Sequence, residues 1–135
     1  KWHTEGITGF VDVRDVARAM TQLMNSQITS QRFILNGENL SYKEVFSSIA
    51  TCFGKKPPYK KVTSFMAELI WRIESIKAAV SGSKSLLTKE TAHTAQAKVR
   101  YDNSKIVKAL PGFEFTNIKE TIIYTCAALK DKYNL

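Results

Sequence analysis

Apolar residues recur along the chain at spacings that alternate between strand and helix. Thr8 to Val13 carries Phe10, Val11 and Val13, a β-branched and aromatic run that predicts a short strand. Val16, Ala17, Met20, Leu23 and Met24 follow at helical spacing behind Asp15, a good N-cap, so strand passes directly into helix. Gln31 to Asn36 holds Phe33, Ile34 and Leu35 and predicts a second strand, ended by the turn pair Asn36-Gly37. Ser41 and Glu44 have the spacing of a capping box before a helix with Val45, Phe46, Ile49 and Phe53 on its buried stripe, and Gly54 stands where a C′ residue belongs. Pro57 and Pro58 make Lys55 to Val62 extended, with room for a short edge strand.

The carboxy-terminal half is richer in helix. Ser64 opens a long helix whose Phe65, Met66, Leu69, Ile70, Trp71, Ile73, Ile76 and Val80 cover more than one stripe, which implies contacts on two sides. A loop at Ser81 to Ser85 leads to a short helix from Thr88 through Ala97 and an extended piece at Val99 to Tyr101. Asn103 or Ser104 caps a helix with Ile106, Val107 and Leu110, which Pro111 and Gly112 stop. Thr116 begins the last helix, with Ile118, Ile122, Ile123, Cys126 and Leu129 at helical spacing. The expected class is mixed α/β and helix-rich, with short strands and about five helices in one domain, residues 1–135.

Composition narrows what such a chain can do. With 135 residues and 44% hydrophobic content there is one core and no second domain, and 24% charge with few Gly and Pro excludes collagen-like and disordered classes. Polar residues interrupt every apolar stretch, so no membrane span is expected, and Lys1 to Gly9 lacks the apolar region of a signal peptide. A start without Met that runs almost at once into a strand pattern suggests a segment of something longer. Cys52 and Cys126 each sit in an apolar helical pattern, which favours buried thiols and a reducing, cytoplasmic setting. His3 and His93 have no companions at ligand spacing, so no metal site is expected.

The net charge of +8 raises polyanion binding as a possibility to weigh. Fifteen of the 20 basic residues are Lys, whereas base and phosphate-fork reading favours Arg, so the excess resembles a solvated surface. Lys55, Lys56, Lys60 and Lys61 around Tyr59 form the one run that could touch a phosphate backbone, and a solvated loop is the plainer reading.

Chemistry concentrates in three segments. Gly9 to Ala19, GFVDVRDVARA, resembles the motif that follows the catalytic residues in extended short-chain dehydrogenase/reductases, which include NAD-dependent sugar-nucleotide epimerases, dehydratases and dihydroflavonol-4-reductase-like enzymes. Arg32 to Ser41, RFILNGENLS, and Tyr101 to Leu110, YDNSKIVKAL, are similar to later motifs of the same family in the same order. The resemblance implies the carboxy-terminal, substrate-binding lobe of a Rossmann-type enzyme without its nucleotide-binding part. It also implies NAD or NADP as the cofactor of the full-length enzyme and none in this chain. Gly6, Gly9, Gly37, Gly54, Gly82 and Gly112 never form the glycine-rich turn that cradles a pyrophosphate.

Tyr101 and Lys105 have the spacing of the family's catalytic Tyr-x-x-x-Lys, but Asp102, Asn103 and Ser104 between them make a turn and cap, so no catalytic residue is assigned here. Candidate substrate-binding residues are Asp12 and Arg14, opposite the valines of the predicted strand, and Arg100, similar to a family position near nucleotide-sugar phosphates. A mutual ion pair of Asp12 and Arg14 is the structural alternative. Expected partners are a small-molecule substrate, the missing amino-terminal Rossmann part and a second copy of the chain. Self-association would use Phe10, Val11 and Val13 on an unpaired strand or one face of the Phe65 to Val80 helix. The competing functions are a small basic nucleic-acid-binding module and a helical protein-interaction domain.

Overall fold

A short turn through Asp12 joins the strand at residues 7–10 to the first helix. The computed structural model describes residues 2–63, 66, 68–69, 72–73, 90 and 94–134. Among them the order is β1 (Trp2–His3), β2 (Ile7–Phe10), α1 (Val13–Met24), β3 (Glu38–Ser41), α2 (Tyr42–Cys52), β4 (Lys60–Lys61), α3 (Ser104–Ala109) and α4 (Ile118–Tyr133). The class is mixed α/β, with four helices and short strands among the described residues. Most of the long helix expected from Ser64 to Val80, the loop after it and half of the Thr88 to Ala97 helix lie outside the described residues.

β2 and β3 pair antiparallel in the register Ile7↔Ser41 to Phe10↔Glu38. On the other edge of β2 the chain at Lys98 runs parallel, since the Ile7 N–H reaches the Ala97 carbonyl at 3.0 Å and the Val99 N–H reaches the Ile7 carbonyl at 2.9 Å. β1 and β4 form a separate parallel pair, Trp2↔Lys60 and His3↔Lys61.

Two apolar clusters hold the helices. Ala19, Ile106, Leu110 and Phe113 join α1 to α3, with Leu23, Phe33, Leu35 and Phe115 against them. Val45, Ile118, Ile122 and Cys126 join α2 to α4 under the β2–β3 pair, with Phe10, Leu40, Ile49, Cys52 and Phe53 packed on. The capping box forms as its spacing predicts: Glu44 N–H donates to Ser41 Oγ at 3.2 Å, and the Ser41 N–H donates to the Glu44 carboxylate at 2.8 Å. Gly54 follows α2 at φ +63°, a conformation that suits glycine.

Several expectations need correction. The strand expected over Thr8 to Val13 ends at Phe10, and Val13 is the exposed first residue of α1, so neither it nor Phe10 lies on an unpaired strand. The helix starts early because Asp12, not Asp15, is its N-cap: the Asp12 carboxylate accepts the Arg14 N–H at 2.8 Å. Gln31 to Asn36 is not a strand. The edge of β2 is taken by residues 38–41, and the Phe10 carbonyl accepts the Gly37 N–H at 2.8 Å, so the segment before Gly37 has no ladder to join and Phe33 and Leu35 instead anchor it to the first cluster. The last helix starts at Ile118, capped by Asn117, because the Thr116 N–H and hydroxyl are both spent on Asp15. Ile123 and Leu129 lie off its buried stripe and are exposed.

Candidate functional site

Of the three residues singled out from the sequence, Asp12 and Arg14 meet, and no hydrogen bond or ion pair joins Arg100 to them. Asp12 is 2% exposed, and its carboxylate accepts from the Arg14 backbone N–H, from Arg14 Nε at 3.0 Å and Nη2 at 2.6 Å, and from the Thr121 hydroxyl at 2.7 Å. Arg14's side-chain bonds, reinforced by its backbone N–H and by Thr121, hold this carboxyl well below the usual carboxylate range. The guanidinium also lies over the Tyr124 ring, 4.4 Å from its centroid. Asp12 and Arg14 are therefore an ion pair that ties the start of α1 to α4.

Asp15 does the same one turn later, accepting from the Thr116 N–H at 2.7 Å, the Thr116 hydroxyl at 2.9 Å and Arg18 at 2.6 Å. Arg100 is exposed beside Val99, and no hydrogen bond or ion pair engages it among the described residues. Tyr101 precedes α3 instead of sharing a helix with Lys105, whose ammonium donates to the Arg32 carbonyl at 3.0 Å.

One of several concave sites among the described residues lies between β1, α2 and the turn at 94–96. It is a cavity of about 540 Å³ lined by Trp2, His3, Thr4, Tyr42, Phe46, Val62, Glu90, Thr94 and Ala95. The capping box fixes where α2 begins, so Tyr42 and Phe46, one turn apart, share a face. Their rings stack with centroids 6.2 Å apart, and Phe10 meets Tyr42 edge-on at 6.2 Å, giving a continuous aromatic wall. The Val62 N–H donates to the His3 carbonyl at 2.8 Å and draws β1 against the chain after β4. The Ile7–Ala97 bond and the Tyr42 N–H to Gly6 carbonyl bond, 3.1 Å, bring the turn and α2 to the same rim. His3 is buried, with Nδ1 3.3 Å from the Thr4 carbonyl oxygen, to which it donates in that tautomer.

Sequence patterning missed this site because its aromatic residues resemble core. Phe46 fits the apolar stripe of α2, yet it is half-exposed and turns to the cavity. The one legible signal is Trp2 with His3 near an edge-strand pattern, residue types that keep a polar handle at an apolar wall.

The N-termini of the four described helices do not fit a dinucleotide pyrophosphate. Those of α1, α2 and α4 are closed by their own Asp12, Ser41 and Asn117 side chains, and α3 starts beside the Asp102 carboxylate, which accepts the Ser104 N–H at 2.9 Å. Among the described residues no group of three or more His, Cys, Asp or Glu is placed to hold a metal ion, and no helix is long and apolar enough to cross a membrane. Of the lysine run, Lys61 pairs with Glu5 at 2.7 Å and Lys60 lies over the Trp2 ring at 5.1 Å.

The motif segments converge away from the cavity. Asn36 Nδ2 and Asn39 Nδ2 both donate to the Tyr101 carbonyl, at 3.1 and 2.9 Å, and Asn39 Oδ1 accepts the Tyr101 N–H at 2.8 Å. Asn103 Nδ2 donates to the Asn36 carbonyl. Gly9 lies directly beneath: a Cβ there would collide with Asn36 Oδ1 and stand 2.8 Å from Tyr101 Cδ2.

No family model matches the chain, and no curated protein does. Among solved structures, one described as "Crystal structure of gox2253" is similar with a TM-score of 0.74 at 20% identity, over 99% of this chain and 40% of that one. The chain thus spans about 40% of the length of that neighbour, and the likeness is one of fold.

Proposed function

We propose that the chain is the carboxy-terminal, substrate-binding part of an NAD(P)-dependent oxidoreductase or epimerase of the extended short-chain dehydrogenase/reductase type, inactive by itself. The observation that carries this reading is the junction of Gly9, Asn36 and Tyr101. Of the three segments that resemble the family's motifs, the second and third are joined by side-chain to backbone hydrogen bonds, and the first pairs with the second through Gly9↔Asn39 and packs Gly9 against Asn36 and Tyr101 at the same place. A fold likeness covering nearly all of this chain and less than half of a longer one supports the reading of a lobe. In this reading the cavity beside Tyr42 and Phe46 receives the substrate, Arg100 lies free at the surface to meet it or the upstream part, and a separate Rossmann unit holds NAD or NADP. Asp12 and Arg14 position α1 and do not touch substrate. The polyanion-binding alternative has weaker support, since two of its four lysines are already engaged with Glu5 and Trp2.

The test is the coding sequence immediately upstream of Lys1 together with calorimetry. A glycine-rich βαβ start and a Tyr-x-x-x-Lys upstream are expected. Saturable NAD(H) or NADP(H) binding should appear in the longer protein and not in the 135-residue chain. Micromolar binding by the short chain, or an unrelated upstream sequence, would overturn the proposal.

A further inference from the structure

The chain's two cysteines stand together where α2 and α4 pack. Cys52 is the last residue of α2, and Cys126 lies on the buried stripe of α4 with Ile118 and Ile122. The Cys52 thiol is within hydrogen-bonding reach of the Cys126 thiol, and both are free in this structure. Lys130, one turn beyond Cys126, draws the same junction together: its ammonium donates to the Cys52 carbonyl and lies 5.6 Å from the centre of the Phe53 ring.

The two thiols differ in a way that suits oxidation in sequence. Cys126 is 4% exposed, and burial, followed by the Cys52 thiol, raises it above the ordinary thiol range, so it is the poorer first nucleophile. Cys52 is only half-buried, and a small oxidant meets it first. Bond closure also finds slack there. The helix stops at Cys52, Phe53 is its C-cap and Gly54 is left-handed with open space around it, so the adjustment a disulfide needs falls on a turn and leaves both helices intact.

We propose that Cys52 and Cys126 are a redox pair, thiols in a reducing setting that a hydroperoxide converts to an intramolecular disulfide fastening the end of α2 to α4. The Cys52 thiolate attacks one peroxide oxygen, the O–O bond breaks, and with hydrogen peroxide the departing hydroxide takes up the thiol proton and leaves as water. Cys52 is then a sulfenic acid. The Cys126 sulfur attacks the Cys52 sulfur, the S–OH bond breaks, and a second water leaves with the Cys126 proton. The pair gives up two electrons, the peroxide receives them, and an external dithiol returns them. Because the bridge closes a loop of about 75 residues, it removes freedom from the unfolded chain and the oxidised form is the more stable. None of this depends on the enzyme proposed above.

The experiment is oxidation of the reduced, folded chain with hydrogen peroxide in small excess, followed by thiol counting, peptide mass mapping and thermal melts. Both thiols should disappear together, a Cys52–Cys126 linked peptide pair should appear in the monomeric fraction, and the melting midpoint should rise by roughly 10 °C and fall back with dithiothreitol. Cys126→Ala should halt the reaction at Cys52, leaving a sulfenic acid that dimedone captures. Cys52→Ser, at the half-buried end of the helix, serves if that variant does not fold: it should keep one free thiol and a midpoint that peroxide does not move. Two thiols still free under conditions that oxidise a small dithiol, sulfinic acid without a bridge, a bridge between two chains only, or a bridge that leaves the midpoint unmoved would each overturn the proposal.

Discussion

Asp12 is where one residue decides the most. Its carboxylate caps α1, pairs with Arg14 and receives the Thr121 hydroxyl while almost wholly removed from water. Replacing it by Ala should cost roughly 3 kcal/mol, a lost cap plus donors left unpaired in the interior, measured as a shift in urea midpoint at unchanged slope. Because the folded carboxyl is depressed below its unfolded value of about 3.9, its contribution is present above that pH and is lost as pH falls toward the folded value. Asp12→Asn should therefore flatten the acid limb of the stability curve below about pH 4, and an unchanged limb would show that other carboxylates carry it. Gly9 is the second such position. Gly9→Ala should destabilise by about 2 kcal/mol, since the added methyl must displace the buried Asn36 and the edge of Tyr101, and a neutral result would mean that both side chains shift at little cost.

The helices differ in how far local sequence determines them. α2 is readable in full because its signals are local: the Ser41–Glu44 box starts it and Gly54 accepts the left-handed turn after it. The start of α1 is not, because Asp12 and Asp15 both suit an N-cap and only the distant partners Thr121 and Thr116 decide which carboxylate does what. The strand at residues 38–41 was equally hidden, since Glu38, Asn39 and Ser41 have no strand-like composition and are extended only because β2 offers them an edge. The cavity escaped for the same reason, being assembled from ends of elements that no single window of sequence contains.

Packing between α2 and α4 brings Cys126 beside Cys52, and burial, followed by the neighbouring thiol, pushes Cys126 above the ordinary thiol range. The unfolded thiol ionises first, so stability should fall as pH rises past about 8.5 until the folded value is reached. Cys126→Ala should lower stability at neutral pH by about 1 kcal/mol and reduce that alkaline slope, as followed by thermal melts. An identical slope in the variant would assign it to other groups.

At the scale of the molecule, α4 closes both halves. Ile118, Ile122 and Cys126 complete the cluster on α2, while Thr116 and Thr121 satisfy carboxylates on or beside α1, 101 and 109 residues earlier in the chain. A chain ending at Glu114 should therefore show no cooperative thermal transition, and a retained sharp transition would mean that the α1–α3 cluster stands alone. The same two long-range bonds bear on synthesis. Until residues 116 and 121 have left the ribosome, Asp12 and Asp15 lack the donors they meet in the finished protein. The first helix must then wait, half-capped and with its carboxylates still in water, until the residues 101 and 109 positions further on have been made. Folding of this segment consequently waits on residues 116 and 121, and a pause in translation placed between Asp15 and Thr116 would prolong the life of a partly formed species without helping it to fold.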